Sequence, residues 1–191
     1  MKPADRWDSK DLVDRYLSSA ESFDPTEILN ALQRYVPLGS SVLEIGMGPG
    51  NDFQQLSAIY KMTGSDISRT FLDRYHNIDP QAELLHLDAR TLHLDRIFDA
   101  LYSNKVLIHL TVEEVAKSFD NQLKILKPGG IAFHTFWKGE GVEFYEGIRF
   151  SYFTHAHIKE QIDEDQWTAL LLKDYSEIKT FDSFYVILKK H

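Results

Sequence analysis

Residues 41–50 read Ser41-Val42-Leu43-Glu44-Ile45-Gly46-Met47-Gly48-Pro49-Gly50, a short apolar run that leads into three glycines. The apolar run predicts a buried strand, and residues 52–60 have the pattern of a helix. Glycines between a strand and a helix let the backbone turn tightly and let a ligand approach main-chain atoms that a Cβ would shield. Because open α/β sheets bind ligands at the carboxyl ends of their strands, this loop predicts a ligand site.

Strands alternate with helices through the rest of the chain. Six further strands are predicted, at residues 62–67, 83–87, 98–102, 131–137, 167–175 and 184–188. This alternation is typical of an α/β protein with a doubly wound, mostly parallel seven-stranded sheet of Rossmann-like type. The last two strands are joined by a link too short for a helical crossover, so we expect the sheet to end in an antiparallel hairpin.

Two helices are predicted ahead of this sheet. Apolar residues at helical spacing over residues 11–17 indicate the first. The second should begin at Asp24, which we predict to be its N-cap in a capping box with Glu27. We therefore expect one domain over residues 1–191, in which a helical cap (1–38) precedes a ligand-binding core (41–191).

Composition excludes several classes of function. The 191 residues include 21 Lys and Arg and 29 Asp and Glu, a net charge of −8, which argues against a nucleic-acid or anionic-membrane partner. The chain has no cysteine, so disulfides and thiol chemistry are absent. His155 and His157 are the only close histidine pair, and on a helix they do not share a face, so no metal site is expected. With neither a signal peptide nor an apolar run of ~18 residues, the expected location is cytoplasmic.

Two kinds of nucleotide-type ligand bind such glycine loops. A dinucleotide site has the pattern G-x-G-x-x-G, with a helix N-terminus facing the pyrophosphate. In this chain the third glycine comes one residue early, and Glu44 and Asp52 place carboxylates beside the loop. Those carboxylates suit a ligand with positive charge and no phosphate. S-adenosylmethionine (SAM), which has a sulfonium and an ammonium group, is such a ligand.

On these residues the chain resembles the class I SAM-dependent methyltransferases. The resemblance runs from Ser41 to the C-terminus in element order, and it is carried by segments 44–50, 64–68, 86–89, 98–104 and 126–130. It implies SAM as the cofactor and S-adenosylhomocysteine (SAH) as its product. The implied cofactor-binding residues are Glu44, Gly46, Met47, Gly48, Gly50, Asp66, Ile67, Asp88, Ala89, Ser103 and Asn104.

Individual roles follow from where these residues end their strands. Asp66 ends the second strand, where a carboxylate can accept both ribose hydroxyls. The resemblance implies that Asp88 accepts the adenine amino group and that the Ala89 N–H donates to the ring. Ile67 and Leu87 would sandwich the adenine, although Leu87 suits the core equally well.

The acceptor side is less specified by the sequence. Ser103 and Asn104 follow the fourth strand, where the transferred methyl group should lie. His109 is a candidate catalytic base because histidine titrates nearest neutrality, although a packing histidine before a helix is the favoured interpretation. The link over residues 137–153 is rich in aromatic rings, which suit either an acceptor wall or an anchor on the core. The candidate substrate-binding residues are Tyr16, Tyr145, Arg149 and Tyr152, with Arg149 suited to an anionic group.

The sequence therefore predicts a methyltransferase that moves a methyl group from SAM to a nucleophile on a small molecule. Two alternatives stay open, a non-catalytic SAM- or SAH-binding module and a protein or RNA methyltransferase. Neither the acceptor nor the oligomeric state follows from the sequence.

Overall fold

The structure, a computed structural model, describes residues 6–19 and 24–191. Its helices are α1 (Lys10–Ser19), α2 (Thr26–Gln33), α3 (Asn51–Leu56), α4 (Arg69–Ile78), α5 (Val112–Ile125) and α6 (His155–Lys159), with a 3-10 turn over Leu107–His109. Its strands are β1 (Ser41–Ile45), β2 (Lys61–Asp66), β3 (Leu84–His86), β4 (Phe98–Ser103), β5 (Leu126–Trp137), β6 (Val142–Tyr145), β7 (Ile148–Ser151), β8 (Trp167–Tyr175) and β9 (Ser183–Lys190). Within these ranges, no helix has the length and apolar character needed to cross a membrane.

Seven of these strands form one sheet in the order β3-β2-β1-β4-β5-β9-β8. Strands β1 to β5 run parallel, whereas β9 lies antiparallel to both β5 and β8. The predicted fold is therefore confirmed, including the antiparallel hairpin at its end. The strand order reverses between β1 and β4, and such a reversal opens a crevice at the carboxyl ends of the strands.

Helices cover both faces of the sheet. On one face, α2 and α3 bury Leu32 and Phe53 against β1 and β4. On the other face, α5 buries Val115 and Phe119, which lie four residues apart on one side of the helix. Burying a large apolar side chain contributes about 1.5–3 kcal/mol, so these two layers fix the sheet between them.

Helix α2 begins differently from the prediction. The Asp24 carboxylate accepts the N–H and the hydroxyl of Thr26, and Pro25 is the N-cap without a side-chain hydrogen bond. The predicted capping box with Glu27 is therefore wrong. An aspartate readily bonds the backbone two residues ahead, and here that local turn replaces the cap.

The aromatic link after β5 is ordered as a second, two-stranded sheet. Strands β6 and β7 pair antiparallel around the two-residue turn Glu146-Gly147, whose φ angles are 49° and 75°. Positive φ at both positions is the requirement of a type I′ turn, which Gly147 meets easily. This hairpin lies beside the 3-10 turn that follows β4, so it reaches the crevice.

Candidate active site

A cavity of about 350 Å³ lies above the carboxyl ends of the parallel strands. Its wall is formed by the glycine loop after β1, by the loops after β2, β3 and β4, by the β6–β7 hairpin and by the segment just before α1. The cavity is thus at the position that the strand order favours.

The glycine loop brings bare backbone to the cavity. Gly46 and Gly48 both line it, with φ angles of 72° and 50°. A Cβ on Gly48 would meet no protein atom within 4 Å, whereas a Cβ on Gly46 would lie 2.5 Å from a methyl group of Val106. The Met47 side chain packs into the core instead. Gly50 is at the start of α3, where a Cβ would collide with the ring of Tyr75.

Asp66, at the end of β2, is held by the backbone around it. Its two carboxylate oxygens accept the N–H groups of Gly48 and Ser68, each at 2.8 Å. The side chain is buried, and this burial raises its pKa although the backbone hydrogen bonds act in the opposite direction. Asp66 lines the cavity beside the glycine loop, where a carboxylate can accept hydroxyl groups.

Asp88, which follows β3, also lines the cavity, but its carboxylate already has a partner. The guanidinium of Arg90 forms hydrogen bonds to both carboxylate oxygens, at 2.9 and 2.5 Å, and approaches Glu114 at 3.3 Å. Burial raises the pKa of Asp88, but the hydrogen bonds from Arg90 outweigh it and the net shift is downward. A ligand amino group would therefore share this carboxylate with Arg90. Between Asp66 and Asp88 the wall is apolar and includes Ile67 and Leu87.

Two further carboxylates lie close to the glycine loop. Asp52, in the first turn of α3, accepts the hydroxyl of Tyr102 at 2.7 Å and the amide of Asn104 at 3.0 Å. Glu44 is buried and lies behind the loop rather than in the cavity wall, and its Oε2 atom has no hydrogen-bond partner among the described residues. Burial, and then the charge of Asp52, raises the pKa of Glu44. Negative groups at this helix start disfavour a phosphate, so the residues present fit a phosphate-free, cationic nucleoside.

The last residue of β4, Ser103, and the residue after it, Asn104, face different ways. Asn104 lines the cavity, and its amide is fixed between Asp52 and the hydroxyl of Thr135, which donates at 2.6 Å. Ser103 does not reach the cavity, because its hydroxyl lies 2.7 Å from Nδ1 of His134 on β5. The structure thus brings only Asn104 to the crevice.

Ser103 belongs to a buried chain of hydrogen bonds that ends at the cavity wall. His134 Nε2 lies 2.8 Å from the side-chain oxygen Oε1 of Gln122, and the side-chain amide of Gln122 donates to the Ser118 hydroxyl. That hydroxyl donates to the backbone carbonyl of Ala89 at 2.6 Å. Burial lowers the pKa of His134 to about 3, so the ring is neutral and one proton arrangement satisfies every link. This chain holds Ala89, on the loop after β3, through Ser118 on α5.

His109 lies in the cavity wall between aromatic rings. Its Nδ1 is 2.7 Å from the Arg149 carbonyl, which can only accept, and this assigns the ring proton to Nδ1 and the lone pair to Nε2. The ring centroids of Trp7 and Phe150 lie 5.1 and 4.8 Å away, both edge-on. Burial lowers the pKa of His109 to about 4, so the neutral form with a basic nitrogen is present at neutral pH.

The segment before α1 closes one side of the cavity. The Trp7 carbonyl accepts the hydroxyl of Ser68 at 2.5 Å, and the Asp8 carboxylate accepts the N–H of Arg69 at 2.6 Å. Both contacts are at the start of α4, next to Asp66. No local sequence pattern predicts this placement, because the two segments are about sixty residues apart.

The same segment is tied to the hairpin turn. Arg6 donates to the Glu146 carbonyl, and Arg15 on α1 forms a bidentate ion pair with the Glu146 carboxylate at 3.0 and 2.6 Å. A side chain on Gly147 would collide with the Arg6 guanidinium, so the turn fits this contact only with glycine. The N-terminal segment and the hairpin therefore enclose the cavity together.

The four residues predicted to bind the acceptor are divided by the structure. Arg149 lines the cavity. Tyr145 is 60% exposed on β6, and the Tyr152 hydroxyl donates to Glu143 at 3.1 Å, so neither side chain is part of the wall. Tyr16 is in α1, but its side chain lies outside the described part of the structure.

Sequence reasoning missed some of the wall. Arg6 and Val106 carried no motif, and only packing reveals them. Arg90 could have been found, because an arginine two residues after a loop aspartate is well placed to pair with it. Lys105 also lines the cavity, although its ammonium group forms an ion pair with Glu177.

Residues 42–130, which contain the glycine loop and the loops after β2, β3 and β4, match the family model described as a methyltransferase domain. By sequence alone, the chain matches no curated protein.

Solved methyltransferase structures share the fold. The chain is similar to the glycopeptide N-methyltransferase MtfA in complex with SAH (TM-score 0.73, 13% identity, 96% of this chain and 99% of that one). It is also similar to SAM-dependent methyltransferases from Clostridium acetobutylicum (TM-score 0.73, 14% identity, 94% and 96% of the chains) and Mesorhizobium loti (TM-score 0.73, 16% identity, 91% and 99%). The family match and the shared fold confirm the resemblance to the class I SAM-dependent methyltransferases.

Proposed function

We propose that this methyltransferase-fold chain is an enzyme that transfers a methyl group from SAM to a nucleophile on a small molecule, and that residues 1–191 act as one domain. The observation that carries the proposal is the pairing of Asp66 with the glycine loop. A buried carboxylate and two glycines meet at one edge of the cavity, and the space beside Gly48 is free of protein atoms. That combination suits a nucleoside with ribose hydroxyls and no phosphate.

The donor half of the cavity supplies the groups that such a nucleoside needs. Asp66 is set to accept ribose hydroxyls, and Ile67 and Leu87 offer apolar surface for a base. The carboxylate of Asp88 and the N–H of Ala89 are available for the edge of that base, with Arg90 as a competitor for Asp88. Asp52 gives this end a negative charge that favours a cation, whereas burial raises the pKa of Glu44 and favours its neutral form.

The acceptor half aligns the nucleophile and excludes water. Bound SAM supplies a methyl group that is already activated on its sulfonium, so the chain needs mainly to hold the nucleophile in line with it. Trp7 and the β6–β7 hairpin cover the crevice and limit entry of water. His109, with its lone pair on Nε2, is available to take a proton from the acceptor.

The volume of the cavity, about 350 Å³, favours a small acceptor. The walls formed by the N-terminal segment and the hairpin leave room for a small molecule, whereas a folded protein or an RNA duplex would need an open face. The net charge of −8 also repels RNA.

Two measurements test the proposal. Isothermal titration with SAM, SAH and NAD should show binding of the first two and not of NAD, because the glycine loop lies beside carboxylates. Incubation of a metabolite extract with SAM labelled in its methyl group should then produce a labelled small molecule. Binding without any labelled product would favour the non-catalytic module, and binding of NAD in place of SAH would refute the assignment.

A further inference from the structure

We propose that the methyl acceptor is a small organic acid whose carboxylate binds Arg149 and Arg6 at the hairpin end of the cavity. This inference rests on the proposed function, and it names the class of substrate. It is carried by the distribution of charge along the cavity wall.

Most charged groups in the wall are already neutralised. Arg90 binds the Asp88 carboxylate and approaches Glu114, and Lys105 forms an ion pair with Glu177. Asp66 is satisfied by backbone N–H groups.

The two remaining cations in the wall are Arg6 and Arg149. Within residues 6–19 and 24–191, no carboxylate lies within 4 Å of either guanidinium group. The carboxylate of Glu146, in the hairpin turn itself, is already paired with Arg15. The exposed Glu113 carboxylate interacts with Arg149 only at longer range. In a chain with a net charge of −8, two partly buried arginines on one cavity, neither with a carboxylate within 4 Å among the described residues, indicate an anionic ligand.

The Arg149 side chain is held in place for this role. Its Nε donates to the Ser151 hydroxyl at 2.9 Å, and its guanidinium lies 5.8 Å from the centre of the Phe144 ring. These contacts use Nε and leave the two terminal nitrogens without a hydrogen bond among the described residues. A planar guanidinium with free terminal nitrogens matches the geometry of a carboxylate. Arg6 uses one terminal nitrogen on the Glu146 carbonyl and keeps the rest of its donors.

The anchor is close to the candidate base. The backbone carbonyl of Arg149 accepts from the His109 ring, so the proposed carboxylate site and the lone pair of His109 belong to one connected unit. Trp7 and His109 both line the cavity, and their ring centroids lie 5.1 Å apart in an edge contact. An acid with a flat, apolar body would fill this space between the two arginines and the donor half.

The test compares benzoate with benzamide, which has the same shape and no charge. Each is titrated into the full chain saturated with SAH, by calorimetry or by ligand-observed NMR. Benzoate should bind about tenfold more tightly than benzamide, as expected for a charge-assisted pair. In Arg149→Gln the advantage of benzoate should disappear while the affinity for SAH stays unchanged. The control Arg96→Gln removes the same charge from a pair with Glu83 outside the cavity, and it should keep the preference.

The possible failures are distinguishable. Equal binding of benzoate and benzamide, no binding of benzoate, or an undiminished preference in Arg149→Gln would each overturn the inference about the acceptor. Failure of the wild-type chain to bind SAH would instead overturn the proposed function.

Discussion

Replacing Asp66 with alanine tests the centre of the proposed donor site. In the structure this carboxylate accepts two backbone N–H groups at 2.8 Å and lines the cavity. If it also accepts the ribose hydroxyls, Asp66→Ala should weaken SAH binding by about 1–3 kcal/mol, which is about 5- to 150-fold in Kd. The variant should also lose about 1–3 kcal/mol of folding stability, because the N–H of Ser68 is left without its acceptor.

A matched control separates binding from stability. Asp99 is at the opposite end of the sheet, where its carboxylate accepts the N–H and hydroxyl of Ser41 and an ammonium hydrogen bond from Lys127. Asp99→Ala should therefore lower the free energy of unfolding, on the order of 1 kcal/mol, and leave the Kd for SAH unchanged. Both quantities are measured on each variant, by urea denaturation and by isothermal titration at a temperature where the variant is folded.

Two outcomes would contradict a direct contact between Asp66 and the ribose. If Asp66→Ala is folded and binds SAH as tightly as the wild type, the carboxylate only organises the glycine loop. An equal loss of affinity in both variants would mean that stability, and not contact with the ribose, controls binding.

Three further predictions follow from other parts of the cavity. Gly48→Val should lose SAH binding, because the new side chain would project into space that contains no protein atom, and the φ of 50° should also lower the stability of the variant. Circular dichroism establishes the temperature at which the variant is folded, titration there measures binding, and normal binding would contradict the prediction. Ser118→Ala removes the donor to the Ala89 carbonyl and should weaken SAH binding by about 2- to 10-fold in calorimetry, whereas an unchanged Kd would remove the buried chain from the site. His109 has a pKa of about 4 when folded and about 6.5 when unfolded, so it lowers the free energy of unfolding as the pH falls from 6.5 to 4, by up to about 3 kcal/mol. His109→Phe should flatten this part of the curve of unfolding free energy against pH, and an identical slope in the variant would show that the imidazole is accessible to protons.

The catalytic and acceptor assignments depended least on local pattern. A histidine before a helix has the same sequence signal whether it packs or reacts, and His109 was placed against Trp7 and Arg149 only by folding. Ser103 and Asn104 are adjacent in sequence, yet they point to opposite sides because successive residues of a strand alternate and the strand ends between them.

Local sequence patterns were sufficient to predict the strands of the sheet and the loop that carries the donor site. Apolar runs, glycine positions and the alternation of strands with helices are local signals, and they were sufficient for seven strands and for Asp66 at the end of β2. The pairing order of such a sheet is also constrained, because parallel strands need crossover helices.

The surroundings of that loop depend on tertiary contacts. The Arg15 ion pair with Glu146 and the contact of Trp7 with the start of α4 join residues that are distant in sequence. The pairing of Arg90 with Asp88 is local, but packing also brings Glu114 to the same guanidinium. Such contacts are selected by the shape of the packed chain, and no periodicity encodes them. The donor end of the cavity is negative and its hairpin end is positive. In the folded chain Arg90 and Lys105 are paired with carboxylates, whereas Arg6 and Arg149 have no carboxylate partner among the described residues.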